Sequence, residues 1–226
     1  MTPRVNDIMC VGANGLITVK ESSTCAHALE LMEQNDMRVL PVVDEAKKLV
    51  GTISLMQLGS YFLPRMRAPL EMRKIKTSLT NIIKALKAQV INAVNPDVVE
   101  DMFVRVGAMD VLSFAQRVSD FPYKQSIIIV GNRWDIQQRS ISIGVRLVVV
   151  TGDSMPSEDT VERCTQCGVS FISSPFDSAT TAWILRTAAV IDNMIVCHYQ
   201  FILFNDIMFV LLRNKLQYFL RPLLIY

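Results

Sequence analysis

Two short apolar runs, Arg38 to Val43 (RVLPVV) and Leu49 to Ser54 (LVGTIS), flank the polar pentapeptide Asp44 to Lys48 and predict two strands joined by a turn. Ahead of them, Thr24 to Asn35 places Ala28, Leu29, Leu31 and Met32 at helical spacing, and behind them Leu55 to Leu63 begins another apolar-faced segment. Leu16 to Val19 (LITV) supplies a leading strand, so the opening order is strand, helix, strand, strand, helix. Tyr61 to Leu70 (YFLPRMRAPL) then breaks the helical pattern with Pro64 and Pro69, and residues 64–76 read as a linker. Thr77 to Lys87 recovers an amphipathic helix with Ile82, Ile83 and Leu86 on one face and Thr77 or Thr80 as its cap. Ala88 to Ala93 and Phe103 to Ala108 read as strands separated by an Asn95-Pro96-Asp97 turn.

From Asp110 the pattern alternates. Helices are predicted over Val111 to Ser119, Trp134 to Ile143, Ser157 to Gln166 and Ser178 to Val190, with strands over Ser126 to Val130, Arg146 to Val150 and Val169 to Ser173. Strands as uniformly apolar as IIIV and LVVV belong in a parallel sheet covered by helices on both faces, which makes the fold class α/β. Gly144 and Gly168 fall where a left-handed helix cap is wanted, and Ser157 opens the third helix. Gly131-Asn132-Arg133 and Thr151-Gly152-Asp153 stand at carboxyl ends of strands, where such sheets bind ligands.

A chain of 226 residues with 50% hydrophobic content has room for one large packed domain or two small ones. A net charge of +2 gives no case for a nucleic-acid partner, and the basic tract from Arg65 to Lys87 reads as a solvated linker or helix face. Met1 to Met9 is polar with no apolar core after it, so no signal peptide is expected and the location is taken as cytoplasmic. Five scattered cysteines suit reduced thiols better than a disulfide framework. Cys164 and Cys167 form one C-x-x-C, but neither His27 nor His198 is near enough in sequence to complete a metal site. Those are the only two histidines, too few for the Asp-His-His clusters that hold two catalytic metals, so neither a catalytic nor a metal residue is assigned. Residues 190–226 are strongly apolar, yet Asp192, His198, Asn205 and Asp206 interrupt them, which weighs against a membrane segment.

The DIM at Asp7 to Met9, the LITV strand, the helix running into RVLPVVD and the closing Gly51, Ser54 and Gln57 together resemble a CBS domain. The family usually closes that spacing with Asp or Asn, so Gln57 departs from it. IIIVGNRWDIQ, GVRLVVVTGD and VSFISSPFDSATTA resemble a DRTGG domain, with Asn132 where an acidic residue is common. Ile191 to Met194 echoes the DIM, Ile207 to Asn214 fits a first helix, and Leu220 to Ile225 takes the place of VLPVVD. The tail therefore looks like part of a second CBS unit. The expected layout is a CBS domain over 1–63, a linker over 64–76, a DRTGG domain over 77–189 and a partial second CBS domain over 190–226. This order is similar to the regulatory insertion of CBS-containing family II, manganese-dependent inorganic pyrophosphatases.

The resemblance implies a regulatory module that binds AMP, ADP, ATP or a diadenosine polyphosphate between paired CBS units and controls a pyrophosphatase, without being an enzyme itself. It places Ser23, Met37, Arg38, Val39, Ser54 and Gln57 at the nucleotide. No cofactor is implied, since manganese or cobalt would serve only the parent enzyme's catalytic part. The implied partners are the nucleotide and a second copy joined through CBS units. From the residues alone, Gly51 would admit a ligand's close approach and Ser54 would offer a hydroxyl, while an ordinary capped strand-to-helix turn remains open. Two alternatives also stand: a ligand-free dimerisation module, and a fragment of an active pyrophosphatase lacking its catalytic domains.

Overall fold

The computed structural model describes residues 16–63, 73–119, 122–197, 199–204 and 207–212. The chain divides into two compact units, one within residues 1–23, 27–61 and 191–226, the other within Thr24–Ala26 and Phe62–Val190. The first opens with β1 (Val19–Lys20), α1 (Cys25–Gln34), β2 (Val39–Val43), β3 (Leu49–Ser54) and α2 (Leu55–Phe62). The expected DIM lies outside the described residues, and the leading strand starts at Val19 rather than Leu16. Asp44 shapes the β2–β3 turn: its Oδ1 accepts from Lys48 N–H at 2.8 Å while Lys47 adopts a φ of 61°. Ala28, Met32, Leu40, Val42, Ile53 and Leu58 are buried, as the two periodicities require.

The second unit contains β4 (Lys74–Thr77), α3 (Leu79–Leu86), β5 (Gln89–Asn92), β6 (Glu100–Val106), α4 (Val111–Ser119), β7 (Ser126–Val130), α5 (Trp134–Ile143), β8 (Leu147–Thr151), α6 (Glu158–Cys167), β9 (Ser170–Ser174) and α7 (Ser178–Thr187). Its sheet order is β4-β6-β7-β8-β9-β5, parallel from β6 to β9, with the two outer strands antiparallel. Every residue of β7, β8 and β9 is buried. Ile128, Val130, Val148, Val150 and Phe171 share a core cluster with Phe114, Ile136, Ile141 and Cys164 of α4, α5 and α6. The remaining helices, α3 and α7, pack against each other.

Several expectations are corrected here. Lys74–Thr77 is a strand and not linker: Ile75 and Thr77 are buried while the lysines alternate outward, with Lys74 Nζ 3.0 Å from Asp101 Oδ2. Residues 64–72 of the expected linker lie outside the described residues. The cap of α3 is Ser78, whose Oγ accepts from Asn81 N–H at 3.2 Å. Thr77 is not free for that role, because its hydroxyl donates to Ala188 O at 2.6 Å, and Thr80's hydroxyl is held by Asp97 Oδ1 at 2.6 Å. The strands β5 and β6 are separated across the sheet by β7, β8 and β9. The last helix ends at Thr187, three residues before Val190, and Val190 N–H bonds Lys76 O at 2.9 Å. Gly144 and Gly168 take the left-handed caps with φ of 78° and 64°, and Ser157 caps α6.

At the amino-terminal end of this sheet Arg146 ties four segments together. Its guanidinium donates to Glu100 Oε1, to Ser170 Oγ at 2.9 Å and to Asn95 O at 3.1 Å.

After a 3-10 turn over Ile191–Met194, β10 (Val196–Cys197) pairs antiparallel with β3, giving the first unit a sheet ordered β1-β2-β3-β10. β11 (Tyr199–Phe204) and β12 (Ile207–Leu212) form an antiparallel hairpin. The helix expected to begin at Ile207 is therefore a strand over Ile207–Leu212, where the β-branched and aromatic run IMFVLL favours extended backbone. Residues 213–226, with the expected LRPLLI strand, lie outside the described residues.

Candidate functional site

Where β3 becomes α2, Ser54 and Gln57 cap each other. Ser54 N–H donates to Gln57 Oε1 at 2.5 Å, and Gln57 N–H donates to Ser54 Oγ at 3.3 Å, the reciprocal pattern of a capping box. Ser54 is the register partner of Val39, and Arg38 O accepts from Leu55 N–H at 3.0 Å. Arg38, Val39, Ser54 and Gln57 therefore meet at one end of the β2–β3 ladder. Met37 directly precedes them, half-buried, with its N–H on Met32 O at 2.8 Å. Arg38 is exposed, and Val39 has 48% of its surface open.

Ser23 does not join them. β1 runs parallel to β2 with Lys20 opposite Val43, and Ser23 N–H bonds Lys20 O at 2.9 Å. It therefore lies beyond the far end of β2, about 13 Å away at ~3.3 Å per strand residue. Gly51 also changes meaning. A Cβ there would stand 2.5 Å from Ile195 Cγ2 and 2.7 Å from Val196 O, so the missing side chain makes room for β10. The approach that glycine admits is a strand of this chain, which no local spacing announces because β10 comes some 145 residues later.

The loops at the carboxyl edge of the parallel sheet are largely closed on themselves. Arg133 donates to Met109 O and to Asp135 Oδ2, Gln137 Nε2 donates to Gly131 O at 3.1 Å, and Thr151 Oγ1 lies 3.0 Å from Ser178 Oγ. Gly152 N–H and Asp153 N–H are spent on Phe176 O and Ser174 O. The amino end of α7 is already filled by Asp177, whose carboxyl is held below its usual range by the Thr180 hydroxyl and then by backbone N–H groups.

His27 is an exposed residue of α1. Cys164 and Cys167 both lie on α6, one buried and one exposed. Burial, followed by the neighbouring Cys167, pushes the Cys164 thiol up to about 12, and burial does the same for Cys25. The thiolate is the reactive form, so alkylation by iodoacetamide at pH 8 is expected to label Cys167 and leave Cys25 and Cys164 unmodified in the folded chain. Peptide mass mapping reads this directly, and labelling of Cys164 at the rate of Cys167 would contradict it.

Residues 5–61 match the CBS domain model and residues 81–188 the DRTGG domain model. Among curated proteins, the chain is 27% identical over 165 residues to a cobalt-dependent inorganic pyrophosphatase of Clostridium perfringens, a stretch covering 73% of this chain but 29% of that enzyme. Among solved structures, it superposes with a TM-score of 0.71 and 23% identity on the CBS and DRTGG domains of the regulatory region of Clostridium perfringens pyrophosphatase, crystallised with its activator diadenosine tetraphosphate. That match covers 87% of this chain and 82% of the other, and it establishes a shared fold. A CBS match, a DRTGG match in the same order and one fold spanning both identify this chain as a CBS–DRTGG domain protein, homologous to the clostridial pyrophosphatase over the stretch they share.

Proposed function

We propose that the chain is a regulatory module which binds an adenine nucleotide at its CBS unit and controls an inorganic pyrophosphatase, without hydrolysing pyrophosphate itself. The observation that carries this reading is the meeting of Arg38, Val39, Ser54 and Gln57 at one end of β2 and β3. A guanidinium there is suited to phosphate by forked, charge-assisted bonds, Ser54 has a hydroxyl proton to give, and Val39 offers a nucleobase an apolar surface. Support comes also from the clostridial regulatory region, which shares the fold and whose crystals hold diadenosine tetraphosphate. Leu55 and Met56, 43% and 82% exposed on α2, are surfaces a second CBS unit would cover, so the working form is a homodimer. Catalysis, with manganese or cobalt, falls to the part of such an enzyme that this chain does not match, and a module of this kind belongs in the cytoplasm with its nucleotides.

Calorimetric titration with AMP, ADP, ATP and diadenosine tetraphosphate tests the reading. At least one is expected to bind saturably, and Arg38→Ala is expected to weaken that binding about tenfold, the loss of one charge-assisted contact. No heat from any of them would leave the ligand-free dimerisation module. Phosphate release from pyrophosphate with added manganese or cobalt would overturn the non-catalytic part.

A further inference from the structure

The parallel strands β6, β7, β8 and β9 end side by side at the carboxyl edge of the second unit's sheet, and each leads into a loop and a helix. The loops hold one another. Arg133 donates to Met109 O, Gly152 N–H and Asp153 N–H bond Phe176 O and Ser174 O, and Ser173 Oγ donates to Ser154 O at 3.0 Å. With those polar groups turned onto one another, the edge shows large apolar side chains to solvent. Met109, Leu112, Trp134 and Met155 are all exposed, Leu112 by 76% and Trp134 by 61%. They come from three neighbouring connections, those after β6, β7 and β8. A lone apolar residue on a surface needs no explanation, but a tryptophan and two methionines along one edge have the composition of an interface.

The charge around this row is one-sided. Asp110, Asp135, Asp153, Glu158, Asp159 and Asp177 are exposed in the same loops and in the first turns of the helices that follow, with Arg133 the one cation in those segments. The Ser113 hydroxyl, and then its N–H, holds the Asp110 carboxyl below its usual range, and the Arg133 side chain does the same for Asp135, so both stay ionised at neutral pH. The amino ends of α4 to α7 converge here too, each worth about half a positive charge, which the carboxylates outweigh.

We propose that this edge is a docking surface for a partner protein, and that its occupant is an amphipathic segment whose apolar stripe is bordered by lysine or arginine. Charge complementarity carries the choice of occupant. A nucleic acid, an anionic lipid surface or an acidic peptide would meet like charge at the rim. Neighbouring strands stand ~4.8 Å apart, so the four loops span about 14 Å, the length of roughly ten residues of helix. The methionines suit such a partner, because their flexible, polarizable side chains adapt to its apolar face. The surface belongs to the DRTGG-containing unit and does not depend on the nucleotide-binding reading.

The test is fluorescence anisotropy of the full chain with two labelled amphipathic helical peptides, one built of leucine and lysine, the other carrying glutamate in place of each lysine. The leucine–lysine peptide is expected to bind with a Kd of about 100 µM or tighter, and the leucine–glutamate peptide at least ~tenfold more weakly. Trp134→Ala removes the largest apolar side chain of the row, and Met155→Lys puts a like charge against the peptide. Each is expected to weaken binding about tenfold at an unchanged melting temperature, since both positions are exposed. Trp183→Ala, which removes an exposed tryptophan from the second turn of α7, is the control and should leave the affinity as it was. A weaker Kd for the leucine–lysine peptide, equal binding of the two peptides, or wild-type affinity in either edge variant would overturn the inference. Cosedimentation with phosphatidylserine vesicles that Trp134→Ala abolishes would also overturn it, in favour of a lipid surface.

Discussion

Arg146→Met is expected to lower the stability of the DRTGG-containing unit by about 3 kcal/mol, because it leaves a carboxylate, a hydroxyl and a carbonyl without their shared donor. The side chain of Arg146 is only 12% exposed and that of Glu100 28%. Breaking a fully buried pair costs about 3–5 kcal/mol, and the water that reaches Glu100 moves the expectation to the low end. Ser170 and Asn95 add to the effect, since Ser170 Oγ also accepts Val94 N–H at 3.2 Å and so positions the segment after β5. For a unit of this size the change corresponds to a fall in Tm of roughly 6–12 °C. Denaturant unfolding followed at the buried core checks it. The double variant with Glu100→Gln should lose less than the two single losses combined, because the carboxylate stranded by Arg146→Met is then gone. A loss below about 1 kcal/mol for Arg146→Met would show that the cluster contributes no more than an exposed ion pair.

Gly51→Ala carries the second large effect, about 2 kcal/mol of destabilisation in the CBS unit. The new methyl would overlap Ile195 Cγ2 and, more seriously, Val196 O, a backbone atom that can move only if β10 leaves β3. Amide exchange at Val196 and Thr52, register partners in this pair, should therefore quicken along with the loss of stability. Gly59→Ala serves as the control of opposite sign. It lies within α2 with nothing within 4 Å of the added Cβ, and alanine there should stabilise by about 0.5–1 kcal/mol. Equal behaviour of the two variants would mean that β10 does not constrain Gly51.

What could be read from residues alone was whatever local physics decides. The bounds of α4, α5 and β7 follow from an aspartate, an uninterrupted IIIV and a glycine cap, all within a few residues of the boundary they set. KIKT over Lys74–Thr77 was misread because lysines at alternate positions look like a solvated linker. On a sheet edge the same alternation points lysines outward and buries Ile75 and Thr77. The pairing of β10 with β3 was invisible because two residues carry no periodicity of their own. At the site, the G-x-x-S-x-x-Q spacing correctly placed a turn with a hydroxyl at its corner. It did not reveal that Gly51 faces protein or that Gln57 spends its carbonyl on Ser54, and Ser23 was grouped with residues that lie at the other end of β2.

Hydrogen–deuterium exchange of the full chain with and without a saturating adenine nucleotide tests the central claim most directly, since it reports where the ligand acts and not merely whether one binds. Peptides covering Met37 to Leu40 and Gly51 to Leu58 should gain protection, with the carboxyl-edge loops at Gly131 to Arg133 and Thr151 to Ser154 unchanged at short labelling times. Protection confined to those loops, with none at Arg38 and Ser54, would contradict the assignment of the nucleotide to the CBS corner.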